Sequence, residues 1–571
     1  METRWTQFKL ESIEARLTEL PDSLGTITHA SPAGLPPLPP LPRGFSPFPG
    51  FSPVPPSPKS SPRPKRAADE PRPTIFIEVR LKNTSGSFVR TDMVREEVTE
   101  WLTETYPGLL CVGQEIDDPF QQLPHSSTIE SISVFDCSLT EEIKDIRGFN
   151  IQDVKLDVQA YYYHEGDYES PSKVRNAGAD SDEDDMPQLR ITLLPSRSLN
   201  GAWDSLVFDE PIPSRLLKFM TRMMTLFRNP DINSSVINWN RLMLLHGPPG
   251  TGKSTLAKAL AQKLTIRLGK HFTQGKLVEI NAQAVLSKWF GESSKLVGKM
   301  FDAVLALAEE ETTLVCLVID EVETLTSSRE KASSSNECGD AVRATNQVLT
   351  ALDQLRHRQN VIVICTSNLI ETIDVAFLDR VDIKQFFPYP RSEAIFDIFR
   401  SSINELIRCE LLVPSADPED VVVWHPRVPM KVHYEHAWET DVCWRKEFAE
   451  AKFIFPLHVT ITNLNHRPNS PSRRVLRAAK RCVGLSGRTL RRLPFLALAM
   501  YTDREPCKVY EGLAALSRAI DVELKKNEPM QERIQERFTD EEDMEDEELQ
   551  EDGGRPYTPT VQHPYYDRMN R

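Results

Sequence analysis

Residues 241–264 read RLMLLHGPPGTGKSTLAKALAQKL. The first six, Arg241 to His246, form an apolar run suited to a buried strand, and the last ten, Thr255 to Leu264, have the composition of a helix. Between them lie Gly247, Pro248, Pro249, Gly250, Thr251, Gly252, Lys253 and Ser254. Strand, glycine-rich turn and helix in that order is the setting a phosphate loop requires. The glycines allow backbone N–H groups to turn inward around phosphate oxygens, and the helix start adds the positive end of its dipole. Lys253 has the reach for β- and γ-phosphates, and the Ser254 hydroxyl suits Mg²⁺. A glycine turn of purely structural purpose is the alternative, and the correct flanks on both sides weigh against it. The expectation is a nucleoside triphosphate site.

About seventy residues on, TLVCLVIDE (Thr313 to Glu321) is an aliphatic, β-branched run ending in two carboxylates, as a central parallel strand would. Asp320 is placed for the Mg²⁺ shell and Glu321 for orienting or deprotonating a water. Taken alone, such terminal acids can be merely solvated; behind a phosphate loop that is the weaker reading. A third strand, NVIVICTSN (Asn360 to Asn368), ends in a polar residue. Ligands of open α/β sheets gather at the carboxyl ends of strands, which puts Asn368 beside the γ-phosphate and the attacking water.

The series GPPGTGKS, SKWFGES, IDEVE, TSN, DVAFLDRVD and GLSGR resembles the AAA+ ATPases. AWDSLVFD (Ala202 to Asp209), LAQKLTIRL (Leu260 to Leu268), SKWFGESSKLVGKMF (Ser287 to Phe301), VAFLDRVDIKQ (Val375 to Gln385) and GLSGRTLRRLPFLA (Gly484 to Ala497) narrow the resemblance. They are similar to the pachytene checkpoint protein 2 family, also called thyroid-receptor-interacting protein 13. The likeness runs from about Pro73 to Lys526, with gaps. It implies an α/β fold: a P-loop AAA+ module, with a parallel sheet flanked by helices and a small helical lid, preceded by a mixed α/β N-terminal domain. It also implies ATP and Mg²⁺ as cofactors and a homo-hexamer. The clients it implies are HORMA-domain proteins, presented by a HORMA-type adaptor and partly unfolded in spindle-checkpoint and meiotic chromosome-axis control.

Residue by residue, the resemblance gives Asn368 the sensor-1 role and makes Arg380 an arginine finger reaching a neighbouring subunit's nucleotide. A permanently charged planar fork suits charge on a transferring phosphoryl group. It makes Arg488 sensor 2 on the lid, and Trp289, Phe290 and Gly291 the pore loop that grips polypeptide. Each has a plainer alternative. Arg380 can pair with Asp379 or Asp382, Arg488 can head a solvated basic helix with Arg491 and Arg492, and Trp289 and Phe290 can be core aromatics. Lys288 before the aromatics and GESS after them make a polar loop, which favours exposure.

The boundaries follow. Residues 1–70 are expected to be disordered, with fifteen of the 43 prolines between Pro21 and Pro64 leaving little to build a core. Five Ser-Pro pairs (Ser31, Ser46, Ser52, Ser57, Ser61) suit proline-directed phosphorylation, and PRPKRA around Lys65 and Arg66 suits nuclear import. Residues 71–197, with strand-like runs at 74–81, 129–139, 154–164 and 188–196, are expected to form the N-terminal docking domain. The large subdomain follows over 198–388 and the lid over 389–527; an acidic tail over 528–571 is expected to be disordered. The net charge of −15 lies in two runs, ten acids in Asp540 to Asp552 and five in Asp180 to Asp185, so the remainder is near neutral. No basic stripe for nucleic acid is expected.

No apolar run is long enough for a membrane span, and the N-terminal twenty residues read as an acid-bearing amphipathic helix rather than a secretory signal. Nine scattered cysteines without metal-ligand spacing read as reduced thiols. The expected location is the nucleus, on meiotic chromosomes, or also the cytoplasm. Residues 413–472 depart from the family's helical lid. They hold five of twelve histidines (His425, His433, His436, His458, His466) without metal spacing, and read as a lineage-specific insertion or a mis-spliced segment. Two other functions stay open: an ATP-gated hexameric scaffold, and an AAA+ remodeller of other clients. Intact Glu321, Asn368 and Arg380 weigh against the scaffold.

Overall fold

The computed structural model describes residues 72–83, 89–106, 108–116, 122–139, 148–166, 189–229, 231–233, 236–237, 239–282, 293–326, 338–413, 423–424, 448–449, 454–462, 464 and 469–526. The proline-rich segment, its Ser-Pro pairs, PRPKRA, both acidic runs, Trp289 to Gly291 and most of 413–472 lie outside the described residues.

The N-terminal sheet has strand order β2-β1-β3, with β1 (Thr74–Leu81) antiparallel to β2 (Ile129–Cys137) and parallel to β3 (Lys155–Tyr162). Alternate residues Ile75, Ile77, Val79 and Leu81 are buried in a core with Val94, Val98, Trp101 and Leu102 of α1 (Thr91–Glu104). That is the period-two pattern of a strand meeting the stripe of an amphipathic helix. The β1–β2 register slips by one at Phe135, because Phe76 faces Asp136 while Ile77 faces Val134. This β-bulge puts Phe76 and Asp136 opposite each other on the face away from that core.

The large sheet has order β4-β6-β7-β8-β5-β9. Strands β5 (Leu242–His246), β6 (Gln274–Asn281), β7 (Thr313–Asp320), β8 (Val361–Ser367) and β9 (Ile383–Phe386) are parallel. The edge strand β4 (Arg190–Leu194) is antiparallel to β6. Of the stretch 188–196, whose strand-like pattern suggests a close to the N-terminal domain, Arg190–Leu194 extends this sheet, while Ser196 bridges His164 just beyond β3. A five-residue strand carries no mark of which sheet edge it will join.

Each central strand is buried on both faces. Leu242, Leu244, Leu317, Ile319, Val363 and Cys365 pack under α4 (Ser293–Leu307) and α5 (Cys338–Leu355). Met243, Leu245, Cys316, Val318, Ile362 and Ile364 pack under α2 (Ile212–Leu226) and α3 (Lys253–Arg267). Continuous hydrophobic runs are what a doubly covered parallel sheet demands.

A short helix α6 (Val375–Arg380) precedes β9 and is capped by the Asp374 carboxylate, which accepts the Ala376 N–H at 2.8 Å. The lid then packs α7 (Ser392–Arg408), α8 (Leu457–Thr462), α9 (Pro471–Arg481), α10 (Gly487–Tyr501) and a helix over 509–526 around its own core. Within the stretch read as an insertion, Ile454 and Phe455 are fully buried in the lid. Ile454 N–H donates to Asn404 Oδ1 at 2.7 Å, and Phe455 N–H to Ser472 Oγ at 3.1 Å. That end of the segment is lid core and not an addition to it.

Candidate nucleotide site

The phosphate loop leaves β5 with Gly247 at φ +137° and passes Gly250 at +75°. A Cβ on Gly247 would stand 2.4 Å from the carbonyl oxygen of Phe387, just after β9, so the chain leaving β9 closes on the loop only because the side chain is missing. Helix α3 begins at Lys253, which presents its first N–H groups to the loop. Lys253 Nζ donates to the Gly247 and Pro248 carbonyls at 2.7 Å each. Burial pushes its pKa down to about 8, against the pull of Glu323, Asp320 and Glu321, while Arg488 adds to the depression.

Asp320, at the end of β7, accepts the Ser254 hydroxyl at 2.7 Å and also the Thr366 hydroxyl on the same oxygen. Thr366 Oγ1 in turn accepts the Glu321 N–H at 3.2 Å. Glu321 itself has φ +55° and ψ 52°. A left-handed non-glycine residue costs on the order of 1–3 kcal/mol and recurs where function fixes the backbone. Asn368 follows β8 directly, its N–H donating to Glu323 Oε1 at 2.9 Å. Lys253, Ser254, Asp320, Glu321 and Asn368 thus converge at the carboxyl ends of β5, β7 and β8.

The lid reaches the same loop through main chain. The N-cap Ser486 accepts the Thr489 N–H at 3.2 Å, and the Arg488 N–H donates to the Gly250 carbonyl at 3.1 Å. A Cβ at Gly250 would approach Ser486 Oγ to 2.9 Å. Arg488 is therefore beside the phosphate loop despite the atypical segment before it.

Arg380 is held elsewhere: neither Asp379 nor Asp382 hydrogen-bonds it, although the Asp379 charge acts on it. Its Nε and NH2 donate to the two oxygens of Asp353 at 3.0 and 2.9 Å, and its NH1 to the Ala376 carbonyl at 2.7 Å. Asp382 instead accepts the Leu242 and Asn240 N–H groups at 3.0 and 3.3 Å, anchoring the start of β5. Asp353 lies 27 residues before Arg380 on α5, so only the fold makes them neighbours. The Arg380–Asp353 side chains are 28% and 47% exposed, and an ion pair so exposed contributes on the order of 1 kcal/mol.

Helix α3 ties this site to the N-terminal sheet. Its C-terminal end offers Lys263 and Arg267, followed by Lys270, and each strand of the sheet supplies one acid. Glu78 of β1 accepts Lys263 at 2.8 Å, Asp136 of β2 accepts Arg267 at 3.3 Å, and Asp157 of β3 accepts Lys270 at 2.5 Å. Arg267 also stacks over the Phe76 ring, 3.7 Å from its centroid, and the Arg95 guanidinium donates to the Gly269 carbonyl at 2.8 Å. Sequence reasoning missed Glu323, Thr366, Asp353 and these acids. IDEVE and TSN held the only local signal for the first two; nothing local marks the others.

Three family models match the chain: TRIP13 N-terminal domain over 70–166, ATPase family associated with various cellular activities (AAA) over 243–389, and TRIP13-like AAA+ ATPase lid C-terminal domain over 391–524. The pachytene checkpoint protein 2 homolog of Xenopus tropicalis is 37% identical over 420 residues, 74% of this chain and 86% of that protein. The Homo sapiens homolog is 36% identical over 407 residues, 71% and 83% of the two chains. The solved structure of C. elegans PCH-2 superposes with a TM-score of 0.55 at 27% identity, covering 79% of this chain and 99% of that one. A phosphate loop closed by β9 and the lid, with the β7 carboxylates at its foot, is the machinery of an ATPase. With these matches, the chain belongs to the pachytene checkpoint protein 2 (TRIP13) family of AAA+ ATPases.

Proposed function

We propose that this ATPase is a remodeller that couples Mg²⁺-ATP hydrolysis to partial unfolding of HORMA-domain proteins, delivered by a HORMA-type adaptor, as a ring of six subunits. The observation that carries the reading is the convergence of Lys253, Ser254, Asp320, Glu321 and Asn368 with a lid docked by main chain on the same loop. Ser254 Oγ and Asp320 Oδ1, 2.7 Å apart, are hard oxygens of the kind Mg²⁺ takes alongside phosphate and water. Bound there, the ion would neutralise phosphate charge.

The loop N–H groups and Lys253 hold the phosphates, Glu321 activates the attacking water, and Asn368 orients it. Arg380, released from Asp353, serves the neighbouring subunit's nucleotide, and Arg488 senses its own. Because Gly250 touches the lid directly, a change at the phosphates shifts the lid and, with it, the Trp289–Gly291 loop that pulls on the client. Aromatic side chains suit such a grip, since apolar contact is largely independent of sequence. Family membership supports the client class, and a nuclear location on meiotic chromosomes follows from the same reading. No helix among the described residues is long and apolar enough to cross a membrane.

The test is ATP turnover by the full chain and its Glu321→Gln variant, with and without a HORMA-domain protein and adaptor, on size-calibrated samples. Client-stimulated turnover in a ring-sized wild type, lost in a variant that still assembles and binds client, is expected. Trp289→Ala should keep turnover and lose client unfolding. ATP-dependent assembly and client binding without stimulated turnover would favour the scaffold instead.

A further inference from the structure

The β7–β8 ladder stops at Ile319 opposite Cys365, one residue short of the site. Beyond it, side chains take over the joining of the two strand ends. Asp320 accepts the Thr366 hydroxyl, Thr366 Oγ1 accepts the Glu321 N–H, and Glu323 Oε1 accepts the Asn368 N–H. Glu323 reaches that position because the left-handed turn at Glu321 opens a 3₁₀ turn over Val322–Thr324, with Val322 fully buried as its anchor.

The other Glu323 oxygen, Oε2, is buried without a hydrogen-bond partner, and no other carboxylate oxygen among the described residues is left so. A buried acceptor without a partner is costly, more so when charged. An apolar residue here would avoid that cost but would leave the Asn368 N–H with no acceptor. The charge is also the strongest among the acids acting on Lys253. Glu323 therefore stands between the phosphate-loop lysine and the end of β8, and the mechanism above assigns it no role.

We propose that Glu323 is the positioning residue for Asn368, its Oε1 fixing the Asn368 main chain at the end of β8 so that the Asn368 side chain meets the attacking water. The inference rests on the hydrolytic reading of Asn368. Glu323 acts through the strand end it holds.

The test compares two substitutions in the full chain. Glu323→Gln keeps an oxygen at the same reach and removes the charge. Glu323→Asp keeps the charge but is one methylene shorter, about 1.5 Å, and loses the Asn368 N–H. With ATP as substrate, Glu323→Gln should stay within about threefold of the wild-type kcat. Misplacement by about 1 Å can cost about 10²-fold, so Glu323→Asp should lose at least about tenfold in kcat, with the Kd for ADP unchanged within about threefold. Glu323→Asp combined with Asn368→Ala should be no slower than Asn368→Ala alone, because residues acting as one unit do not add. An active Asp variant with an inactive Gln variant would overturn the inference in favour of the charge, and additive losses would overturn it in favour of an independent structural role. If Asn368→Ala alone turns over normally, the hydrolytic reading of Asn368 falls and takes the inference with it. If Asn368→Ala is slow while Glu323→Asp is normal, only the inference falls.

Discussion

Asp136→Asn should detach the N-terminal sheet from the helix that carries the phosphate loop. The Arg267 guanidinium and the Asp136 carboxylate are 5% and 8% exposed, with NH1 and NH2 at 3.5 and 3.3 Å from Oδ2. Asparagine can still accept the Cys137 N–H that Asp136 Oδ1 accepts at 2.8 Å, so the turn at the end of β2 has no reason to change. What disappears is the nearest counter-charge of a buried arginine, the one that hydrogen-bonds it; Glu78 and Asp157 still act on it from farther off. Removing one partner of a buried pair costs about 3–5 kcal/mol, because the other charge stays buried without its hydrogen-bonded acid. Stacking on Phe76 and Phe135 remains and offsets part of this, which points to the low end, about 3 kcal/mol. At 1.36 kcal/mol per decade, the opening constant for separating β1–β3 from α3 should rise about 150-fold.

The control is Asp157→Asn, where the Asp157 and Lys270 side chains are 25% and 48% exposed and the pair is worth at most about 1 kcal/mol. Amide hydrogen exchange on the full chain, read separately for β1, β2, β3 and α3, measures both variants against wild type. Equal small effects from Asp136→Asn and Asp157→Asn would refute the reasoning. They would show that Arg267 finds water or another partner once its acid is gone.

Two further outcomes follow from the phosphate loop. Lys253 has a pKa of about 8 in the free loop, and bound phosphates restore its charge, so binding ADP above pH 8 must take up a proton. Calorimetry in buffers of different ionisation enthalpy should show uptake of about 0.1 proton at pH 7 and about 0.9 at pH 9, with affinity falling as pH rises through 8. For folding the sign is opposite: the unfolded lysine binds its proton more tightly, so this group adds stability as pH climbs from about 8 to its unfolded value. Equal uptake at pH 7 and 9 would mean that Lys253 is fully charged in the free loop. Gly250→Ala forces a side chain into φ +75° and against Ser486 at 2.9 Å. It should cost at least about 1–2 kcal/mol and lift the lid from the loop, lowering the Tm and weakening ADP binding together. An unchanged Tm and Kd would show that the lid yields freely there.

The local pattern was enough for the elements that build the site. GPPGTGKS between an apolar run and a helical one specified β5, the loop and α3, because the φ values at Gly247 and Gly250 and the missing side chains are properties of the residues themselves. TLVCLVIDE and NVIVICTSN announced two strands buried on both faces, since uninterrupted aliphatic residues have no solvent face to offer. Other features have no local cause. QLRITLLPS reads as a strand, but whether it joins the N-terminal sheet or β6 depends on which edge is open when the domains pack. The sequence places acids beside Arg380 at 379 and 382, yet one turn of α6 and the packing of α5 bring Asp353 to it instead. Likewise, one extra residue in β2 at Phe135 sets which way Asp136 faces, and so whether α3 has a partner for Arg267. Hydrophobic periodicity and glycine conformation act over a few residues and can be read along the chain. Ion pairs, edge strands and the Glu323–Asn368 contact join residues tens to well over a hundred positions apart, and only the packed structure selects them.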